Sequence, residues 1–186
     1  VFALAGAMLA AIAVYSIGSM GRGGATPIKL VLSGTAVSAA LSSLISAILL
    51  PRSYVLDQYR FWQVGSVGSG TIHGILTFSP LLAAGFVIAL LCAPALNALA
   101  LGDEAATGLG VHTKTLRLTA AAGGVLLCGS TTALAGPIGF IGLLAPHIMR
   151  LLLGSNLRLT IPLSALAGAV ILTIADVIGR LLLYPG

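Results

Sequence analysis

Gly136-Pro137-Ile138-Gly139-Phe140-Ile141-Gly142-Leu143-Leu144-Ala145-Pro146-His147-Ile148-Met149-Arg150 closes the stretch between Arg117 and Arg150, within which no side chain is charged. A hydrocarbon core about 30 Å thick takes about 20 residues of helix at about 1.5 Å rise each. The stretch is too long for one upright helix, and Gly136-Pro137 near its middle is where it divides. Pro137 and Pro146 bracket a short second helix, and their missing N–H groups leave carbonyls that neighbouring helices or a cavity must satisfy.

Charge tests the division, because short cytoplasmic loops carry the excess of Lys and Arg. With one span in this stretch the two sides tie, Arg22, Lys29, Lys114 and Arg117 against Arg52, Arg60, Arg150 and Arg158. With two spans Arg150 and Arg158 join the first group, giving six basic residues against two and assigning the six to the cytoplasm. The remaining long apolar runs, interrupted only by Lys29, Asp176 and Arg180, supply four more helices of membrane-crossing length. The spans expected are 1–20, 28–50, 75–101, 117–135, 139–153 and 159–183, with both chain ends near the outer face.

Composition agrees with lipid as the solvent. Hydrophobic residues make up 58% of the chain and charged residues 7%, with a mean hydropathy of +1.12, more apolar surface than a soluble core of this length can bury. The net charge of +5 comes from cations scattered singly, which form no stripe that could track a phosphate backbone. Cys92 and Cys128 lie far apart in apolar runs without metal-ligand spacing, so they read as small buried side chains rather than a disulfide or metal site. No catalytic set appears at helical spacing, and there is no Gly-x-x-x-x-Gly-Lys loop for nucleotide. The chain opens at Val1 within an apolar run and stops at Gly186 just after another, which leads us to expect a fragment rather than a signal peptide followed by a domain.

Two connections exceed what a turn needs. The outer one, 51–74, holds Tyr54, Tyr59, Phe61 and Trp62 before a Gly/Ser-rich tail, as aromatic anchors at a membrane interface do. The cytoplasmic one contains Leu101-Gly102-Asp103-Glu104-Ala105-Ala106-Thr107-Gly108-Leu109-Gly110-Val111. It predicts a short helix over 103–108, started by acids that suit the helix dipole and stopped by glycines. Such a helix, within a segment of about 102–111, can receive force from a soluble engine.

Glu104-Ala105-Ala106 followed by Gly110 fits the E-A-A-x-x-x-G pattern by which permeases of ATP-binding-cassette importers dock on their ATPase. The 136–150 stretch closely resembles the signature of FecCD-type permeases, the family importing iron-siderophores, haem and vitamin B12. Trp62-Gln63-Val64-Gly65-Ser66 and Leu172-Thr173-Ile174-Ala175-Asp176-Val177-Ile178-Gly179-Arg180 agree with the same family. The resemblance implies an all-α polytopic bundle of the type II, vitamin B12 permease-like kind, with ten helices per subunit. These six would be the fourth to the ninth, the first three and the last lying outside the chain. It further implies a homodimer or pseudodimer in a prokaryotic plasma membrane with two ATPase subunits below and a solute-binding protein above. ATP and Mg would be bound by the partner ATPase, and no cofactor or metal by this chain.

The coupling residues are then Leu101, Gly102, Asp103, Glu104, Ala105, Ala106, Gly108 and Gly110. In this family the turn joining the first two spans resembles a cytoplasmic gate, with glycines from Gly21 to Gly24 as hinge and Thr26, Pro27 and Ile28 as constriction; ordinary turn chemistry is the alternative. Thr35, Ser38, Ser42 and Ser46 give the second span a hydroxyl-rich face, read either as a weakly polar pore lining or as helix packing through small residues. The signature residues are Gly136, Pro137, Gly139, Phe140, Gly142, Pro146, His147 and Arg150, of which His147 reads as a hydrogen-bonded structural residue or as a proton or metal group. Asp176 and Arg180, four apart in an apolar span, can neutralise each other, as a structural pair or as a functional intramembrane charge. Alternating access driven by a separate ATPase is the expected mechanism. The rivals are an ion-gradient-driven transporter or channel and, more remotely, an intramembrane enzyme.

Overall fold

The structure, a computed structural model, describes residues 2–20, 26–51, 53–65 and 71–182. These form α1 (Phe2–Ser19), α2 (Pro27–Leu49), α3 (Ser53–Val64), α4 (Ile72–Leu99), α5 (Asp103–Gly108), α6 (Thr113–Ala135), α7 (Ile141–Leu153) and α8 (Leu157–Leu182), with no strand among the described residues. Five of them, α1, α2, α4, α6 and α8, are long and apolar enough to cross a membrane. The chain is an all-α, multi-pass membrane protein.

The outer connection departs from the expectation. It is not merely a loop with aromatic anchors, because its first half is the helix α3, and α4 begins at Ile72 rather than at 75. Aromatic and charged side chains hide α3 from a search for charge-free runs. Its turns are held by spacing instead: Gln58 Nε2 donates to the Tyr54 hydroxyl at 3.1 Å, and the rings of Tyr59 and Trp62 sit 5.9 Å apart, the i,i+4 and i,i+3 neighbours of a helix. Thr71 starts α4 early by accepting from the Gly74 N–H at 3.2 Å, as an N-cap residue does.

The helix after the Gly136-Pro137 break, α7, is short as expected, with 13 residues and a length of about 20 Å. It is too short to cross the hydrocarbon core upright by its helix alone. The non-helical stretch 136–140 leads into it.

Neighbouring helices in space follow the order α2, α1, α6, α4, α8, α7, with α5 against α4 and α6. The interior is made of small side chains. Among the described hydrophobic residues only Cys92, Ala93, Ala106, Leu116 and Ala145 are buried, whereas Leu91 and Leu181 lie on the outside. That is the inverse of a soluble core and suits helices solvated by hydrocarbon, where close backbone approach replaces the hydrophobic drive. At the α4–α6 crossing a Cβ on Gly123 would stand 2.9 Å from Ile88 Cγ2, and one on Gly85 would stand 3.1 Å from the Gly123 carbonyl. Gly129 admits Leu4 and Ala7 of α1 onto α6 in the same way. Cys92 is buried with its sulfur 3.5 Å from the Thr119 hydroxyl of α6. Cys128 is exposed, contrary to expectation, since it lies on a side of α6 that no described helix covers.

Candidate functional site

The α5 segment is built by its glycines. Gly102 precedes the helix at φ 110° and ψ 157°, a region open essentially to glycine alone. At the other end the Gly110 N–H donates to the Thr107 carbonyl at 2.9 Å and the Val111 N–H to the Ala106 carbonyl at 3.0 Å. With Gly110 at φ 81°, these are the paired bonds of a Schellman cap. Between the two stops Ala106 is fully buried while Glu104 and Gly108 face outward. The bracketing apolar side chains Leu101 and Leu109 are 72% and 66% exposed, so the outer side of α5 is a small acidic and apolar surface.

Arg117, counted from sequence only as a topology marker, anchors this surface. From the second turn of α6 its Nη2 donates to both carboxylate oxygens of Asp103, at 2.7 and 2.9 Å. Asp103 therefore both starts α5 and ties it to α6. Glu104 makes no such tie among the described residues.

A second polar tie, missed in the sequence, lies at the same end of the bundle. Asn97, in the last turn of α4, donates from Nδ2 to Asn156 Oδ1 at 3.0 Å, while its own Oδ1 accepts from the Leu157 N–H at 3.0 Å. Asn156 precedes α8, and its Oδ1 also accepts from the Arg158 N–H at 3.1 Å. The signals were present: Asn97 is the polar exception in an apolar run, and Gly154-Ser155-Asn156 is helix-starting chemistry.

At the opposite end of α6 two segments singled out by their sequence meet. A Cβ on Gly136 would lie 2.9 Å from the Trp62 carbonyl and 3.1 Å from Gly65 Cα, so the end of α3 packs directly on the Gly136-Pro137 break. Gly65 and Gly136 both have positive φ, 73° and 78°. Ser66 lies outside the described residues. Beyond the break the Ile141 N–H donates to the Gly139 carbonyl at 2.8 Å around Phe140 at φ 64° and ψ −35°. This is the strained form of the γ-turn, rare for any residue with a side chain. Phe140 is 87% exposed. Gly142 lies in the first turn of α7, with open space where its Cβ would be.

Pro146 is inside α7, and Arg150 occupies its last turn. His147 does not bear out the expectation of a hydrogen-bonded residue. It is exposed and has no side-chain partner among the described residues, because its side of α7 meets no other described helix.

The gate segment is described only in part. Residues 21–25, the expected glycine hinge, lie outside the described residues. Thr26 caps α2, its hydroxyl accepting from the Lys29 N–H at 3.4 Å, with Pro27 in the first turn, where its fixed φ suits a helix start. Ile28 is 73% exposed. On α2 the hydroxyls divide. Ser33 is buried against α1, 3.1 Å from the Val14 carbonyl, and is a packing residue. Thr35, Ser38, Ser42 and Ser46 are all exposed. Asp176 Oδ2 accepts from Arg180 Nε at 2.8 Å across one turn of α8. No group of three or more His, Cys, Asp or Glu side chains that could hold a metal ion occurs among the described residues.

A bundle of membrane-crossing helices with a short capped helix packed between two of them defines the class, an all-α multi-pass membrane protein. Comparison with known proteins gives the family. The model of the FecCD transport family matches residues 1–186, and the chain belongs to that family. It is 43% identical over 185 residues to the ferric enterobactin transport system permease FepD of Escherichia coli, covering 99% of this chain and 55% of that one. It is 40% identical over 185 residues to the Fe(3+)-citrate import system permease YfmD of Bacillus subtilis, covering 100% of this chain and 55% of the relative. The chain thus spans about half the length of the curated relatives it matches. Among solved structures, an inward-facing transporter described as of the metal-chelate ABC type superposes with a TM-score of 0.77 at 29% identity, over 83% of this chain and 52% of that one.

Proposed function

We propose that this chain forms part of the membrane-spanning permease subunit of an ATP-binding-cassette importer for iron-siderophore-type ligands, in a prokaryotic plasma membrane with α5 on the cytoplasmic side. The observation that carries the proposal is α5 itself. Two glycine stops and the Asp103–Arg117 pair fix it to the bundle, while Glu104, Gly108 and the apolar neighbours Leu101 and Leu109 face away from the bundle, as a docking element requires. The relatives' transport of ferric enterobactin and ferric citrate supports the ligand class.

Nucleotide and Mg bind to a separate ATPase, because the sequence holds no Gly-x-x-x-x-Gly-Lys loop to cradle a phosphate. ATP binding closes the ATPase pair, the motion enters through α5, and a pore shared with a second permease copy opens toward one side or the other. Thr26, Pro27 and Ile28 then stand at the cytoplasmic mouth, with Ser38, Ser42 and Ser46 along the path. A solute-binding protein delivers ligand from outside. The Asn97–Asn156 bond supports six crossings, since it holds the α7–α8 turn at the same end of α4 as α5.

Uptake tests the proposal. The full-length subunit, assembled with its ATPase and binding protein in proteoliposomes, is given ⁵⁵Fe complexes of a catecholate, a hydroxamate and citrate. Uptake of at least one complex should require ATP, and Glu104→Lys and Gly110→Trp should each lower it at least tenfold with loss of ATPase association. Uptake by the subunit without any ATPase would establish an ion-driven carrier instead.

A further inference from the structure

Among the described residues, the long-range side-chain ties that involve α4 or α5 gather at one end of the bundle: Cys92 with Thr119, Asn97 with Asn156, and Asp103 with Arg117. Elsewhere α4 meets α6 through glycine backbone and apolar side chains, contacts without hydrogen-bond direction. The Asn97–Asn156 tie has a particular setting. Pro94 lies three residues before Asn97, and Pro162 six residues after Asn156. Each proline lacks the N–H that would hold the carbonyl four residues earlier, so Leu90 and Arg158 lose those bonds. The last turn of α4 and the first turn of α8 are each the loosened end of a helix.

Within the bond itself, directions are fixed. The Leu157 N–H requires Asn97 Oδ1 as acceptor, which leaves Nδ2 as donor, and Asn156 Oδ1 receives that donor and the Arg158 N–H together. Load on α5 reaches α6 through Arg117 and, by way of the last turn of α4, reaches α8 through Asn97.

We infer that the Asn97–Asn156 clasp is a positioning device that carries displacement of α5 into the α7–α8 turn, so that ATP hydrolysis drives transport only while it is closed. The inference rests on the proposed function and adds a route through the bundle. Asn97 touches neither ligand nor nucleotide and acts through Asn156.

The test uses the full-length transporter complex in proteoliposomes, with ATP hydrolysis, ⁵⁵Fe-ferric complex uptake and the mobility of a spin label at Ser155→Cys, in a background lacking the other cysteines, read on the same preparations. Asn97→Ala should keep hydrolysis within about twofold of the parent, lower iron transported per ATP at least tenfold, and abolish the nucleotide-dependent change at the label. Two carboxylate variants guard against misfolding. Asn156→Asp keeps both acceptor bonds and should behave as the parent. Asn97→Asp places an acceptor against an acceptor and should uncouple. Equal behaviour of the two, a parallel fall of hydrolysis and uptake, or a parent-like ratio in Asn97→Ala would each overturn the clasp. A parent complex that hydrolyses ATP but takes up no iron complex would overturn the importer itself, a result separate from the others.

Discussion

One terminal nitrogen of Arg117 holds both carboxylate oxygens of Asp103, at 2.7 and 2.9 Å, and so joins the start of α5 to the second turn of α6. The side chains are 31% and 56% exposed, which limits the pair to about 1 kcal/mol or less of global stability and makes it sensitive to salt. Its effect is local, on the hold that α6 has on α5.

Arg117→Gln should therefore leave thermal unfolding of the full-length subunit nearly unchanged, within about 1 kcal/mol, yet speed amide exchange across 103–111 several-fold. The reversed pair Asp103→Arg with Arg117→Asp should restore protection only in part, because a cation at the start of α5 opposes the helix dipole. Unchanged exchange in Arg117→Gln would remove the anchor role.

The glycine crossing between α4 and α6 makes a sharper stability prediction. Gly123→Ala drives a Cβ to 2.9 Å from Ile88, and Gly85→Ala drives one to 2.9 Å from Leu127 and 3.1 Å from the Gly123 carbonyl. Overpacking of this kind costs about 1–3 kcal/mol. Gly108→Ala, with open space around it and no positive φ, should instead stabilise by up to about 1 kcal/mol. Thermal unfolding of the purified subunit in detergent checks both signs.

The hydroxyl face of α2 is testable by access to water. With Cys92 and Cys128 replaced by alanine, single cysteines at Ser38, Ser42 and Ser46 should react with a membrane-impermeant cationic thiol reagent in the assembled transporter. A cysteine at Leu41 or Leu44 should react at least tenfold more slowly. Equal protection of all five positions would assign the serines to packing.

Much of this arrangement was legible in the residues. The five long helices follow from long apolar runs, and α5 from two acids between glycines. Gly136-Pro137 marked the end of α6 at Ala135. What escaped had physical reasons. α3 is held by aromatic and amide spacing, not by an apolar run. The Asn97–Asn156 and Asp103–Arg117 ties join residues 59 and 14 positions apart, and no local pattern announces such a pairing. Cys128 was expected to be buried and His147 to be hydrogen-bonded, and both lie on open helix sides, which a one-dimensional search for spans cannot distinguish from packed ones.

At the Gly85–Gly123 crossing the two main chains stand where side chains ordinarily keep them apart. A slip of one position along that seam would push Ile88 or Leu127 into backbone, so α4 and α6 advance together as one beam. The pairs α1 with α2 and α7 with α8 hang from opposite sides of it. In the proposed importer, shape change is expected to fall to the hung parts, while the beam keeps its register from one cycle to the next.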